Sequence, residues 1–434
     1  MINQLIDNFE LEGEKNLWLP QWKKLRKQIK EIFIQAQRKA YLDKNITYVK
    51  IIQLFQDAEI KNKSLDPIKY ITLKNKVISQ ESRNSSVNQL ESGDFLFNKH
   101  EKPTKEFFKI NKERHLTTFI ERLNDTSHKN KSFFQNIATS YYTELYSNKQ
   151  VEQIPDDIEL PNWEEELKIF DELFTEDDFI NTTKHLHSNK SPGPDGLTAE
   201  VYQQFPQLIS LLHKLYDAFV TENFSLDDFG EGYITLIYKK GDKSDIRNYR
   251  PITLLNTDYK IISKTYASYL QKILPDIMPY EQIGFLSGRN ITDHIFQAQL
   301  LYEHATLNNK KLIAAALDFE KAFDRVNHNY LFSLLRKIGF PLSFVHFWEN
   351  IFFSYKASII LNGKLTNSFH ISSGVRQGCP IAPLLYIIAT IPLLSLLKNK
   401  LKGYKISSRK YIIQVFADDT LLTLGSWKQW RKSI

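Results

Sequence analysis

The stretch Tyr411-Ile-Ile-Gln-Val-Phe-Ala-Asp-Asp-Thr-Leu-Leu-Thr-Leu424 decides how the chain is read. Two apolar, β-prone runs flank the adjacent carboxylates Asp418 and Asp419. The pattern predicts two strands, with the Asp pair at or beside a tight turn. Ionised carboxylates between apolar strands are costly to bury unless something positive neutralises them. A divalent cation does so, and oxygen ligands of this kind suit Mg²⁺ or Mn²⁺. A solvated hairpin turn accounts for the same residues, because Asp is common in turns.

Working outward, a third carboxylate stands at the end of another apolar run. Lys311-Leu-Ile-Ala-Ala-Ala-Leu-Asp318 reads as a short strand closing on a charge, followed by Phe319-Glu-Lys-Ala-Phe-Asp324. A carboxylate at a strand end points out of the core. With Asp418 it could hold two metal ions about 3.5–4 Å apart, the arrangement that serves in-line phosphoryl transfer. Such a site needs cations to grip phosphates. Lys239, Lys240 and Arg250, on the predicted neighbouring strands 232–240 and 250–255, are candidates. Basic strand ends are also commonly just solvated.

The rest of the chain supplies a mixed pattern. Helices are predicted over 206–222, 259–276, 291–307, 327–338 and 341–353, and Asn362-Gly363 between β-prone runs predicts a hairpin. Helices and strands mix without strict βαβ alternation, which points to α+β with a largely antiparallel sheet. Residues 21–50 carry nine Lys/Arg. Trp22, Leu25, Ile29, Ile32 and Phe33 recur there at helical spacing. This predicts a basic amphipathic helix continuing through 48–55, its basic face either solvated or set against nucleic acid. Residues 62–100 read as a polar connector, and 113–124 and 132–146 as helices. The segment 151–179, rich in Glu and Asp and marked by Pro155 and Pro161, reads as an acidic linker. The expected division is therefore a helical basic region 1–150, the linker 151–179, and a main domain 180–434.

Composition bounds the class. At 434 residues the chain can hold two or three domains, and its net charge of +7 is compatible with a polyanionic partner without requiring one. Cys379 is the only cysteine, which excludes an internal disulfide framework and a Cys-rich zinc site within this chain. It favours a reducing, intracellular location. Residues 1–14 are acidic and lack a basic start with an apolar run, so no leader is expected. Ile381–Leu397 is uncharged, but Pro383 and Pro392 and its bare minimum of length predict a buried core helix, not a membrane span.

Six segments occur in order: Asn189-Lys-Ser-Pro-Gly-Pro-Asp-Gly196, Asn248-Tyr-Arg-Pro-Ile252, Gln282-Ile-Gly-Phe-Leu-Ser-Gly-Arg289, Leu317-Asp-Phe-Glu-Lys-Ala-Phe-Asp-Arg-Val-Asn-His328, Gly374-Val-Arg-Gln-Gly-Cys-Pro380 and Phe416-Ala-Asp-Asp419. Together they resemble the reverse transcriptases of non-LTR (LINE-type) retrotransposons, over about residues 185–424. The resemblance implies a right-hand polymerase, fingers and palm with an antiparallel palm sheet, preceded by a helical N-terminal region. It implies an RNA-directed DNA polymerase using Mg²⁺ or Mn²⁺, with an RNA template, a DNA primer and deoxynucleoside triphosphates as partners and no membrane. By position it makes Asp318, Asp418 and Asp419 the catalytic carboxylates, with the Phe319 carbonyl completing a metal shell. Lys239, Arg250, Phe323, Gln377 and Gly378 become nucleotide-binding, with Phe323 as a steric gate against a ribose 2′-OH, and Ala417 touches the primer. Asp195 and Gly196 match a loop of structural or template-facing role. Tyr238 stands where the family usually has Pro before the lysine. Fifteen residues follow Asp419, whereas the family continues into more palm and a helical thumb. A fragment with weak or no processive synthesis is therefore expected. The resemblance implies work at chromosomal DNA, hence the nucleus, while the sequence itself carries no decisive nuclear signal. The alternative is an inactive relic that at most binds nucleic acid.

Overall fold

The structure is a computed structural model. It describes residues 2–36, 38–39, 120–123, 126–127, 131–147, 153–222, 226 and 229–426. The chain divides into two compact units, one made of Met1–Arg26 with Thr118–Ile434, the other of Lys27–Thr117. Residues 18–36 are helical, as the basic pattern predicts. The readings for 48–55, 62–100 and 113–119 lie outside the described residues.

Twelve strands are described in the first unit. They are β1 (Arg122–Leu123), β2 (Thr126–Ser127), β3 (Gly232–Tyr238), β4 (Tyr249–Leu255), β5 (Ile313–Leu317), β6 (Lys356–Leu361), β7 (Lys364–Leu365), β8 (Phe369–His370), β9 (Tyr404–Ile406), β10 (Arg409–Tyr411), β11 (Ile413–Phe416) and β12 (Asp419–Leu424). One sheet runs β4-β3-β6-β7, with β8 also on β6; a second runs β11-β12-β5. All pairs are antiparallel except β3 with β6, which run parallel. The fold is mixed α/β, and this parallel pair is what the expectation of antiparallel pairing did not contain.

Local chemistry explains the elements. Asn362 and Gly363 both have positive φ (47° and 77°), the type I′ geometry that suits a two-residue hairpin between β6 and β7. Thr175 and Asp178 form a reciprocal capping box that starts helix Glu176–Lys184. Asn290 and Asn327 cap Ile291–Leu307 and His328–Lys337 by accepting backbone N–H groups. The apolar stretch near 381–397 folds as two helices, Ala382–Ala389 and Ile391–Lys400, meeting at Thr390 with a proline in each first turn. By length and composition 382–400 could cross a membrane, but 56% of its apolar window is buried inside the fold.

Two expectations need correction. Residues 122–123 are strand, not helix: β1 pairs with β2, and the Asn362 side chain takes both the N–H and the C=O of Ile120. The acidic segment 151–179 is packed, not an open linker. Trp163, Leu167, Phe170, Phe174 and Phe179 are buried, and the Trp163 N–H donates to the Ile338 carbonyl. Most of its acidic residues are exposed, while Phe170 and Phe174 enter an aromatic core, where Phe174 meets Tyr266 edge-on at 4.6 Å between centroids and Phe170 meets Phe344 at 5.3 Å. That segment, residues 1–26 and the main domain thus share one unit.

Candidate active site

The decisive hairpin is β11–β12. Ile413, Val415, Leu422 and Leu424 turn one face onto Leu394 and Leu397 of the Ile391–Lys400 helix and onto Leu401 just past its end. Phe416 pairs with Asp419, so Ala417 and Asp418 form a two-residue turn. Ala417 has φ 59°. A positive φ at the first turn position alone matches type II′ geometry. β12 also pairs with β5, Thr420 opposite Leu317, and one further step in that register brings Asp318 opposite Asp419. Burial of one sheet face thus carries carboxylates from two distant segments to the same end of the sheet.

That end opens on a cleft of ≈ 680 Å³. Asp318 and Asp418 both line it, with Phe319, Phe323 and Gln377. Lys239, Lys240, Arg247 and Arg250, at the ends of β3 and β4, form its cationic side. Asp419, the first residue of β12, is exposed and lies outside that lining. Among the described residues, neither Asp318 nor Asp418 has a side-chain hydrogen bond or ion-pair partner, and no three His, Cys, Asp or Glu side chains converge on a point where they could hold a metal. Two unpartnered carboxylates in a cleft that also carries Lys239, Lys240 and Arg250 still fit a hard cation. Mg²⁺ is usually held by one or two carboxylates, with substrate phosphates and water filling its shell.

The residues expected to bind nucleotide are held by backbone contacts. Thr253 of β4 donates its N–H to the Gln377 carbonyl at 2.7 Å, and Val375 donates to the Phe323 carbonyl at 2.8 Å. Arg376, between them, is buried, its guanidinium 3.4 Å from the centroid of the Tyr355 ring. Gly378 has φ 115°, and a Cβ there would stand 2.4 Å from the Thr253 carbonyl oxygen. Glycine is therefore required by the approach of β4, and Gly378 lines a neighbouring cleft of ≈ 890 Å³ with Lys190, Lys260 and Lys264 instead of the aspartate cleft. The Phe323 ring is half-buried and stacks on Tyr386 at 4.3 Å. Burial, with Asp418 and Asp419 nearby, pushes the Tyr386 hydroxyl well above its ordinary range.

One functional candidate, Asp324, escaped sequence reasoning. Asp324 is buried beside the cleft, accepts the Tyr146 hydroxyl at 3.0 Å and lies 3.5 Å from the Gln377 amide. Burial pushes its carboxyl up to about 6. A carboxyl raised in the folded state stabilises most below its unfolded value of 3.8, and that contribution is lost as pH rises through about 6. The span corresponds to at most ~3 kcal/mol. Asp324→Asn keeps the acceptor for Tyr146, so it is expected to match the native chain near pH 4 and to be about 1–3 kcal/mol more stable at pH 7.5, as read by denaturant unfolding. Of the two roles expected for the Asp195 loop, structural or template-facing, the contacts of Asp195 support the structural one. Its side chain is 8% exposed and ion-paired to Arg26 at 2.8 Å, which gives it a structural role. Arg26, counted with the basic face of its helix, is itself buried.

Against this geometry stand the relatives. Residues 237–433 match the family described as reverse transcriptase (RNA-dependent DNA polymerase). Residues 237–433 form a reverse transcriptase domain. A Transposon TX1 149 kDa protein of Xenopus laevis is 33% identical over 66% of this chain and 22% of its own length. A probable RNA-directed DNA polymerase from transposon BS of Drosophila melanogaster is 27% identical over 58% of this chain and 28% of its own. The Pol polyprotein of retrotransposable element R2DM, also of Drosophila melanogaster, is 26% identical over 57% of this chain and 23% of its own. These relatives are proteins of transposons and retrotransposable elements, and the chain spans about a quarter of their length. A solved structure of apo telomerase from Candida tropicalis, truncated from its C-terminal domain, covers 54% of this chain and 51% of its own at 13% identity; its TM-score of 0.35 is too low to bear on the fold.

Proposed function

We propose that this chain catalyses RNA-templated DNA synthesis, transferring deoxynucleotides to a primer 3′-OH, with β5, β11 and β12 serving as palm strands and β3 and β4 as fingers strands. The observation that supports this reading is the shared cleft, which Asp318, Asp418, Lys239 and Arg250 all line. Asp318 and Asp418, with the Phe319 carbonyl and Asp419 beside them, would hold Mg²⁺ or Mn²⁺. The bound cation supplies charge neutralisation of the triphosphate and a lowered pKa for the primer hydroxyl. The chain's own residues do the rest. Arg250 and Lys239 bind the phosphates and orient them for in-line attack. Gln377 contacts the nucleotide. Ala417, small and at the tip of the turn, lets the primer end come near Asp418. Phe323, braced by its stack on Tyr386, blocks a ribose 2′-OH.

The test is extension of a labelled DNA primer on an RNA template with Mg²⁺ or Mn²⁺. Deoxynucleotides should be incorporated, and chelation should stop the reaction. Primer extension that persists after chelation sinks the cation's role, and failure of an assay containing both metals argues for a chain that only binds nucleic acid. Phe323→Ala is expected to admit ribonucleotides, raising their incorporation relative to deoxynucleotides by ~10–100-fold, because a steric exclusion is lost. An unchanged sugar preference would place the gate elsewhere.

A further inference from the structure

The segment Gln282-Ile-Gly-Phe-Leu-Ser-Gly-Arg289 makes a set of contacts that the proposed chemistry does not use. Gln282 is fully buried. Its Oε1 accepts the N–H of Ala417 at 3.0 Å and the N–H of Gly284 at 2.9 Å, and its Nε2 donates to the Ala417 carbonyl at 3.3 Å. The backbones run together as well. Ile283 N–H donates to the Val415 carbonyl at 3.0 Å, and Val415 N–H donates to the Glu281 carbonyl at 2.8 Å. Gly284 is pressed against the turn, for a Cβ there would lie 2.3 Å from the Ala417 nitrogen. Arg289 closes the segment on itself. Its Nη1 donates to the Pro279 and Gln282 carbonyls, both at 2.7 Å, and its Nη2 to the Met278 carbonyl at 2.8 Å.

A turn residue at positive φ normally shows its peptide groups to water, and an alanine there is strained. Here both peptide groups of Ala417 are taken up by one side chain that is 135 residues distant in sequence. An amide matches this task because it offers an acceptor and a donor on one rigid plane. Burial strengthens each bond and makes its loss expensive. We infer that Gln282 is a positioning residue: its amide clamps the Ala417 peptide groups, holding the turn open and fixing where the Asp418 carboxylate stands relative to Asp318. Arg289 holds Gln282 in turn. The inference rests on the proposed role of Asp418 for its consequence in catalysis, but not for the clamp itself.

Hydrogen exchange separates the two. In the unaltered chain the Ala417 amide should exchange at least about tenfold more slowly than an open turn amide, comparable to Val415 in the adjoining strand. In Gln282→Leu, exchange at Ala417 should rise by at least about tenfold while Leu422 is unchanged. Gln282→Glu retains acceptors for both N–H groups and should recover most of the protection. In primer extension, Gln282→Leu should lower kcat by ~10–100-fold with the deoxynucleotide KM nearly unmoved, since misplacement of a reacting group has effects of this size. It should also raise the Mg²⁺ concentration for half-maximal rate. An Ala417 amide that exchanges as an open turn in the unaltered chain overturns the clamp, and that arm decides even if Gln282→Leu does not fold. A Gln282→Leu chain with native exchange at Ala417 overturns it too. If instead Asp418→Ala retains full extension while the exchange results stand, the clamp survives and the catalytic reading falls.

Discussion

Asp318→Ala and Asp418→Ala are each expected to lower deoxynucleotide incorporation by at least about 10³-fold. A cation that neutralises developing charge supplies several kcal/mol to the transition state, and each 1.36 kcal/mol is tenfold in rate. Either substitution removes one of the two carboxylates that line the cleft. Stability should hardly move: Asp318 is exposed at the end of β5, and neither carboxylate has a partner among the described residues, so the unfolding free energy should stay within about 0.5 kcal/mol. The pairing of lost rate with unchanged stability is the signature. Asp419→Ala should have a smaller effect, since Asp419 does not line the cleft. Primer extension and thermal melting on the three variants measure both quantities.

The second large effect lies far from the chemistry. Arg26→Ala is expected to destabilise the fold by ~3–5 kcal/mol, the cost of leaving buried carboxylates uncompensated. Arg26 pairs with Asp195 at 2.8 Å and Asp258 at 2.7 Å, all three groups are buried, and Trp22 Nε1 donates to Asp258 at 2.9 Å. This triad ties the N-terminal helix to the Ser191–Leu197 loop and to the start of helix Thr257–Ile277. Burial already pushes the Asp195 carboxyl up to about 6, against the lowering influence of Arg26. A carboxyl raised in this way contributes stability below its unfolded value and loses it as pH rises through about 6. Without the guanidinium its carboxyl should rise further, so the destabilisation should be larger at pH 8 than at pH 5. Denaturant unfolding of the chain and of Arg26→Ala at the two pH values reads both the size and the sign. Equal losses at both would show that the carboxylates are not what Arg26 compensates.

Much of the site was legible because it is built from local signals. The alternation in Ile413–Phe416 and Asp419–Leu424 specifies strands, the Asp pair specifies their turn, and the short apolar run before Asp318 specifies β5. Asn362-Gly363 gave its hairpin for the same reason: the backbone there needs two positive φ values. What could not be read depends on contacts between distant segments. Gln282 touches Ala417 through the fold alone, and nothing in its own neighbours marks it as buried. The parallel pairing of β3 with β6 joins residues more than a hundred apart, beyond any periodicity. In the segment 151–179 the count of acidic residues concealed an apolar set at irregular spacing, and that set is what the core takes up. Arg26 carried the same charge as its exposed neighbours. Only the carboxylates of Asp195 and Asp258, brought to it by folding, distinguish it.

Asp318 and Asp418, brought together by β5 and the β11–β12 turn, are proposed to hold the divalent cation of a phosphoryl-transfer site. Titration of Mn²⁺ into the chain with a deoxynucleoside triphosphate, followed by the electron paramagnetic resonance signal of free Mn²⁺, tests it directly. The account predicts protein-bound Mn²⁺ that weakens by at least about tenfold in both Asp318→Asn and Asp418→Asn. Undiminished Mn²⁺ binding in both variants would contradict it.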